Sequence, residues 1–121
     1  MLIPDYYTIL NRRNEGDVEV FDIALRSDSK VYEGHFPGMP VSPGVCNIQL
    51  LKECAEATVG RPLLLNYVRQ CRLTTLVTPQ QFPKVEVRIS TESMEGGIKL
   101  HATLGQGSDI YLDLKGEATF V

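Results

Sequence analysis

Residues 43–59 are the one strong helical stretch in this chain, and they are apolar almost all the way round. Ser42 can cap the helix, Pro43 suits its first position, Gly60 suits the C-terminal exit and Pro62 prevents continuation. Val45, Cys46, Ile48, Leu50, Leu51, Cys54, Ala55 and Ala57 cover most of the circumference. Only a narrow polar stripe of Gln49, Lys52, Glu53 and Glu56 is left, at i, i+3/i+4, i+7 spacing. Such a helix has to be buried on most sides. A chain of 121 residues holds one domain and no second, so residues 1–121 are expected to bury this helix within their own fold.

The C-terminal half supplies the partner. In 84–90, Val85, Val87 and Ile89 alternate with charged or polar residues. In the next stretch Ile98, Leu100, Ala102 and Leu104 do the same, followed by Ile110, Leu112, Leu114, Ala118 and Phe120. Glu95-Gly96-Gly97 and residues 105–109 separate these stretches as short turn-formers, which predicts an antiparallel meander. Residues 17–25 also read as a strand, with an apolar phase shift between Val20 and Phe21 that predicts a bulge there. The run 63–77 ends at Thr78-Pro79. The expected architecture is α+β: one long central helix wrapped by a curved antiparallel sheet of five to six strands.

Composition excludes several classes. With 43% hydrophobic and 22% charged residues the chain can bury a core, and no run approaches the roughly 18 apolar residues of a membrane helix. The opening residues carry neither a basic start with an apolar stretch nor a small-residue cleavage site, so a cytoplasmic location is expected. A net charge of -3 argues against nucleic acid as the main partner. Cys46, Cys54 and Cys71 form an odd set with no CxxC spacing, which indicates neither a disulfide framework nor a metal site.

Residues 34–45, Gly-His-Phe-Pro-Gly-Met-Pro-Val-Ser-Pro-Gly-Val, carry three prolines and three glycines, which restrict a loop that feeds into a helix N-terminus. The first turn of a helix has unpaired N–H groups, and Gly44 has no side chain to keep a ligand oxygen away from them. His35 is the histidine suited to take a proton there. His101, on the polar side of its strand, reads as structural or solvated.

At these residues the chain resembles the bacterial 3-hydroxyacyl-(acyl carrier protein) dehydratases, whose signature is G-H-F-P-G-x-P-x-x-P-G-V. The resemblance extends more weakly to Ala57-Thr58-Val59-Gly60, to 72–79 and to Gly116-Glu117-Ala118-Thr119. It implies a hot-dog fold, a homodimer with each site built at the subunit interface, possible trimers of dimers, and no cofactor or metal. It further implies that His35 removes a proton from C2 of a 3-hydroxyacyl thioester while N–H groups near Gly44 and Val45 polarise the carbonyl, giving a trans-2-enoyl thioester. The family's second catalytic residue is a helix acid fourteen positions after the histidine, supplied by the partner subunit. Here that position is Gln49, and an acid, Glu53, follows one turn later.

Glu53 then serves the site directly or through a water, or is merely solvated. Phe36, Gly38 and Met39 are candidates for the acyl tunnel. Arg69 and Arg72, with Arg61 and Lys52, are candidates for docking an acidic carrier protein or the phosphate of its pantetheine arm. Two further readings stand beside a dehydratase: a weak or silent subunit that pairs with a complete dehydratase, and a thioesterase on the same fold.

Overall fold

The computed structural model describes residues 6–26, 44–75, 77 and 82–121, and for Val45 the backbone alone. Six strands and one helix follow one another as β1 (Tyr7–Glu15), β2 (Val18–Leu25), α1 (Gly44–Val59), β3 (Leu63–Leu73), β4 (Lys84–Met94), β5 (Gly97–Gln106) and β6 (Asp109–Phe120). The strands form one antiparallel sheet in the order β1-β2-β4-β5-β6-β3. One face of this sheet packs on α1, which is the hot-dog arrangement. The apolar alternation of β4, β5 and β6 turns Val85, Val87, Ile89, Leu100, Leu104 and Leu114 toward the helix, where Leu50, Leu51, Cys54 and Ala55 are almost wholly buried.

The meander of β4, β5 and β6 runs as its alternation predicts except at the start of β6, where Ile110 is exposed and Tyr111 buried because the register against β5 shifts and leaves Tyr111 as an extra residue. Gly96 and Gly107 take positive φ at its two turns, a conformation that glycine adopts without steric cost. Gly60 also has positive φ, and its N–H bonds to the carbonyl of Glu56 at 2.8 Å, ending α1 at the predicted exit. Ser42 and Pro43, the predicted start, lie outside the described residues.

Three features add to or depart from what the pattern predicts. First, the segment before Gly16 forms a full strand, β1, which gives the sheet six strands, within the expected five to six. Its alternation is masked because Leu10 is an extra residue, with the register shifting between Ile9 and Asn11. Second, β2 carries no bulge at Val20: its pairing with β4 is unbroken from Val18 to Ala24. Val20 is buried although it faces away from the helix, because its cross-strand neighbours are Arg13 and Arg88. Arg13 pairs with Glu15 (2.9 Å), Asp22 (2.9 Å) and Glu86 (3.0 Å), and Arg88 pairs with Glu15 (3.2 Å) and Glu86 (2.9 Å), so the aliphatic stems are held over the valine. Third, β3 ends at Leu73 rather than Val77.

β6 passes close to β3 at Gly116. A Cβ added at Gly116 would lie 2.2 Å from the Tyr67 carbonyl oxygen. Gly116→Ala is therefore expected to cost about 1–3 kcal/mol, read as a lower urea midpoint at unchanged slope. An unchanged midpoint would show that the two strands do not approach this closely.

Candidate functional site

The polar stripe of α1 is neither wet nor bare: Gln49, Lys52, Glu53 and Glu56 are all half-buried. Partly desolvated polar groups need partners, and each of the four has one. Gln49 Nε2 donates to Glu53 Oε2 at 3.0 Å, across one helical turn. Tyr7 on β1 donates its hydroxyl to the other carboxylate oxygen, Glu53 Oε1, at 2.6 Å. Glu56 Oε2 accepts the N–H of Leu63 at 2.8 Å, tying the helix to the start of β3, and Lys52 lies 3.8 Å from the same carboxylate.

Two residues before Gln49, Asn47 is a buried polar residue on the packed side of the helix, where its Oδ1 accepts the hydroxyl of the fully buried Tyr6 at 2.6 Å. Two adjacent tyrosines thus anchor the start of β1 to α1, with their rings edge to face at 6.3 Å. Sequence reasoning missed both, because each partner is more than forty residues away in the chain. The available signal was Asn47 itself, a lone amide on an apolar helix face that has to find a donor or an acceptor.

Gly44 and Val45 open α1, so their N–H groups are among those that have no partner within the helix. His35, Phe36, Gly38 and Met39 lie outside the described residues. Of the predicted site, the structure therefore brings together Gln49 and Glu53, on a helix that starts at Gly44, and adds Tyr7. Cys54, next to Glu53 in sequence, faces the core, and burial with the nearby carboxylate pushes its thiol up to about 12. It stays protonated and is a packing residue.

The docking candidates separate. Arg69 and Arg72 are exposed on β3, an edge of the sheet, and form no ion pair with any described residue. Arg69 lines a shallow cavity of about 550 Å³ on the face of the sheet away from α1, together with Lys99, Lys115, Glu92 and Glu117. Arg72 lies opposite Asp113, whose carboxylate is held by His101 at 3.0 Å. Arg61 is placed over the Phe120 ring at 3.9 Å and Lys52 faces Glu56, so both already serve the fold. Among the described residues no group of three or more His, Cys, Asp or Glu is placed to hold a metal ion, and no helix is long and apolar enough to cross a membrane.

Burial, first, and then the hydrogen bond and charge of Glu53 raise the proton affinity of Tyr7 well above the usual phenol range. Above about pH 10 the unfolded chain releases this proton while the native state retains it. Stability therefore falls with rising pH in that range. Tyr7→Phe is expected to flatten that part of the alkaline unfolding profile relative to the wild type; parallel profiles would show that Tyr7 titrates as a free phenol.

Comparison with known proteins agrees with this picture. The family model for ApeI-like proteins, described as ApeI dehydratase, matches residues 11–109. The 3-hydroxyacyl-[acyl-carrier-protein] dehydratase FabZ of Lactiplantibacillus plantarum is 28% identical over 126 aligned positions, covering 93% of this chain and 86% of that protein. The FabZ of Levilactobacillus brevis is 27% identical, covering 87% and 80%. Among solved structures, the dehydratase heterocomplex ApeI:P from Xenorhabdus doucetiae contains a chain that superposes with a TM-score of 0.72 at 14% identity, covering 93% of this chain and 96% of that one. With the model spanning most of its length, the chain belongs to the ApeI-like dehydratase family.

Proposed function

We propose that the chain acts as a single hot-dog domain in the cytoplasm, as a lyase that removes water from 3-hydroxyacyl thioesters carried on acyl carrier protein. The observation that supports this reading best is the Gln49–Glu53 pair. It lies within three turns of the start of α1, on the one polar stripe of a helix from the dehydratase family. In the reaction His35 takes the C2 proton and the C2–H electron pair becomes the C2=C3 bond as the C3–O bond breaks. The N–H groups of Gly44 and Val45 stabilise the charge that develops on the thioester oxygen. Phe36, Gly38 and Met39 line the path of the acyl chain.

Gln49 holds the departing hydroxyl but has no proton to give. Glu53, the carboxyl bonded to its amide, is the proton source for the leaving water, directly or through a bridging water. The site is completed across a homodimer, in which one protomer lends its helix stripe to the His35 of its partner. Pairing with a complete dehydratase is the second reading. It is favoured by the amide at position 49 and by the likeness to a chain of a dehydratase heterocomplex. No metal or redox cofactor enters either scheme.

The test is hydration of a crotonyl thioester, and dehydration of 3-hydroxyacyl carrier protein, by the purified chain. His35→Ala is expected to abolish turnover. Gln49→Glu is expected to raise it by about 10²-fold or more, because a second carboxyl about 3 Å from Glu53 cannot ionise independently and one of the two stays protonated. No turnover in either the wild type or Gln49→Glu, with activity appearing only on mixing with a complete dehydratase, would move the assignment to the second reading.

Carrier docking has its own test. Charge reversal at Arg69 and Arg72 is expected to raise KM for the carrier-bound substrate, more so at low salt. The same variants should leave turnover of a pantetheine thioester unchanged; equal loss on both substrates would place these arginines in the fold rather than at the dock.

A further inference from the structure

The face of the sheet away from α1 treats its charges in two different ways. Over β1, β2 and β4 the arginines are paired, Arg13 with Glu15, Asp22 and Glu86, and Arg88 with Glu15 and Glu86. Toward β3 the charges stay apart. Arg69, Lys99 and Lys115 form no ion pair with any described residue, and neither do Glu92 and Glu117, although all five line one cavity of about 550 Å³.

Strand register builds this separation. Glu92, Lys99, Glu117 and Tyr67 form one cross-strand row from β4 to β3. The neighbouring row holds Ser90, His101 and Lys115, and Arg69 stands beside it as the extra residue of the β3 bulge between Val68 and Gln70. Rows on one face are about 7 Å apart along the strands, so the first presents acid, base and acid with an aromatic ring at its end, and the second presents cations and a hydroxyl. His101 is already bonded to Asp113 at 3.0 Å and frames the cavity. Lys115 and Glu117 are half-buried, and a partly desolvated charge is costly without a partner.

We propose that this cavity binds a phosphorylated sugar, free or as the ribose phosphate of a nucleotide. Its volume is that of a small-molecule site, and its polar lining selects a polar ligand. The phosphate lies on Arg69 and Lys115, where its hydrogen bonds are charge-assisted, with the Ser90 hydroxyl beside them. The sugar hydroxyls donate to Glu92 and Glu117 and accept from Lys99, and the C–H face of the ring lies on Tyr67. Inorganic phosphate alone leaves both carboxylates without a donor, and a neutral sugar leaves both phosphate-binding cations without a counter-charge. A chain of phosphates is excluded, because the first row sets two carboxylates where the next phosphate would fall.

The cavity lies away from α1, so the inference stands independently of the roles of His35, Gln49 and Glu53. Arg69 is also a carrier-docking residue; the variants that test the cavity are therefore placed at Lys115, Glu117 and Lys99, which that docking does not use.

The test is a titration of the ¹⁵N-labelled chain with ribose 5-phosphate, AMP, ribose and inorganic phosphate, followed by backbone amide shifts. Ribose 5-phosphate is expected to give saturable shifts confined to residues 67–69, 90–92, 99–101 and 115–117. Its Kd should be about tenfold or more below those of ribose and of phosphate, since each half of the ligand adds charge-assisted hydrogen bonds. Lys115→Ala should weaken ribose 5-phosphate about tenfold. Glu117→Ala should weaken it too while leaving inorganic phosphate no weaker, because only the sugar uses the carboxylate. The exposed Lys99→Ala is a further variant that the fold tolerates, expected to weaken the sugar phosphate and ribose alike. AMP separates the two sources: binding tighter than ribose 5-phosphate assigns a nucleotide, and equal or weaker binding assigns the sugar phosphate itself. No saturable shift with either sugar phosphate, binding that inorganic phosphate matches, or binding that survives the substitutions in folded protein overturns the proposal.

Discussion

Everything in this molecule depends on the burial of α1. A sixteen-residue helix with Leu50, Leu51, Cys54 and Ala55 on its packed side cannot be satisfied by one flat layer of strands, and a sheet that wraps it removes nearly all of that apolar surface from water. Wrapping has a second effect. It brings the sheet rim over the helix flanks, so the polar stripe ends half-buried, in surroundings where each of its groups must be hydrogen-bonded. The same packing that hides the apolar side selects the partners of the polar one.

Those partners come from opposite edges of the sheet. At one edge Tyr6 and Tyr7 reach Asn47 and Glu53; at the other, the N–H of Leu63 reaches Glu56. The helix is thus held by polar contacts at both rims and by apolar contacts between them. Apolar contacts are non-directional and leave the helix free to turn or slide by fractions of a residue, whereas a 2.6 Å hydrogen bond does not. The setting of the helix against the sheet rim is fixed by these hydrogen bonds rather than by the core.

Much of this was legible in the chain, and the failures have physical causes. The meander could be read because β4, β5 and β6 have one wet and one dry face, so period-two alternation survives along most of their length, with a break at Tyr111 where β6 shifts register against β5. β1 could not, because it carries an extra residue at Leu10 and is exposed along most of its length. At Val20 the alternation rule assumed that burial means facing the helix, but ion pairs between β1, β2 and β4 bury a residue from the other side. Gln49 and Glu53 were found because helical spacing brings them together locally. Tyr7 was not, since its bond to Glu53 spans forty-six residues and depends on a strand that the pattern did not reveal.

The position of the acid gains its meaning from this frame. Moving a carboxyl from 49 to 53 shifts it about 6 Å along the helix axis, away from the N-terminal end where the unpaired N–H groups lie, and into reach of β1. There it is no longer an isolated acid at the mouth of a site but a member of a chain running from Tyr7 to Gln49. At 53 its two oxygens are held from different elements, one by Tyr7 at 2.6 Å and the other by Gln49 at 3.0 Å. The exchange of acid and amide across one turn therefore ties the geometry of the stripe to the packing of β1 on α1.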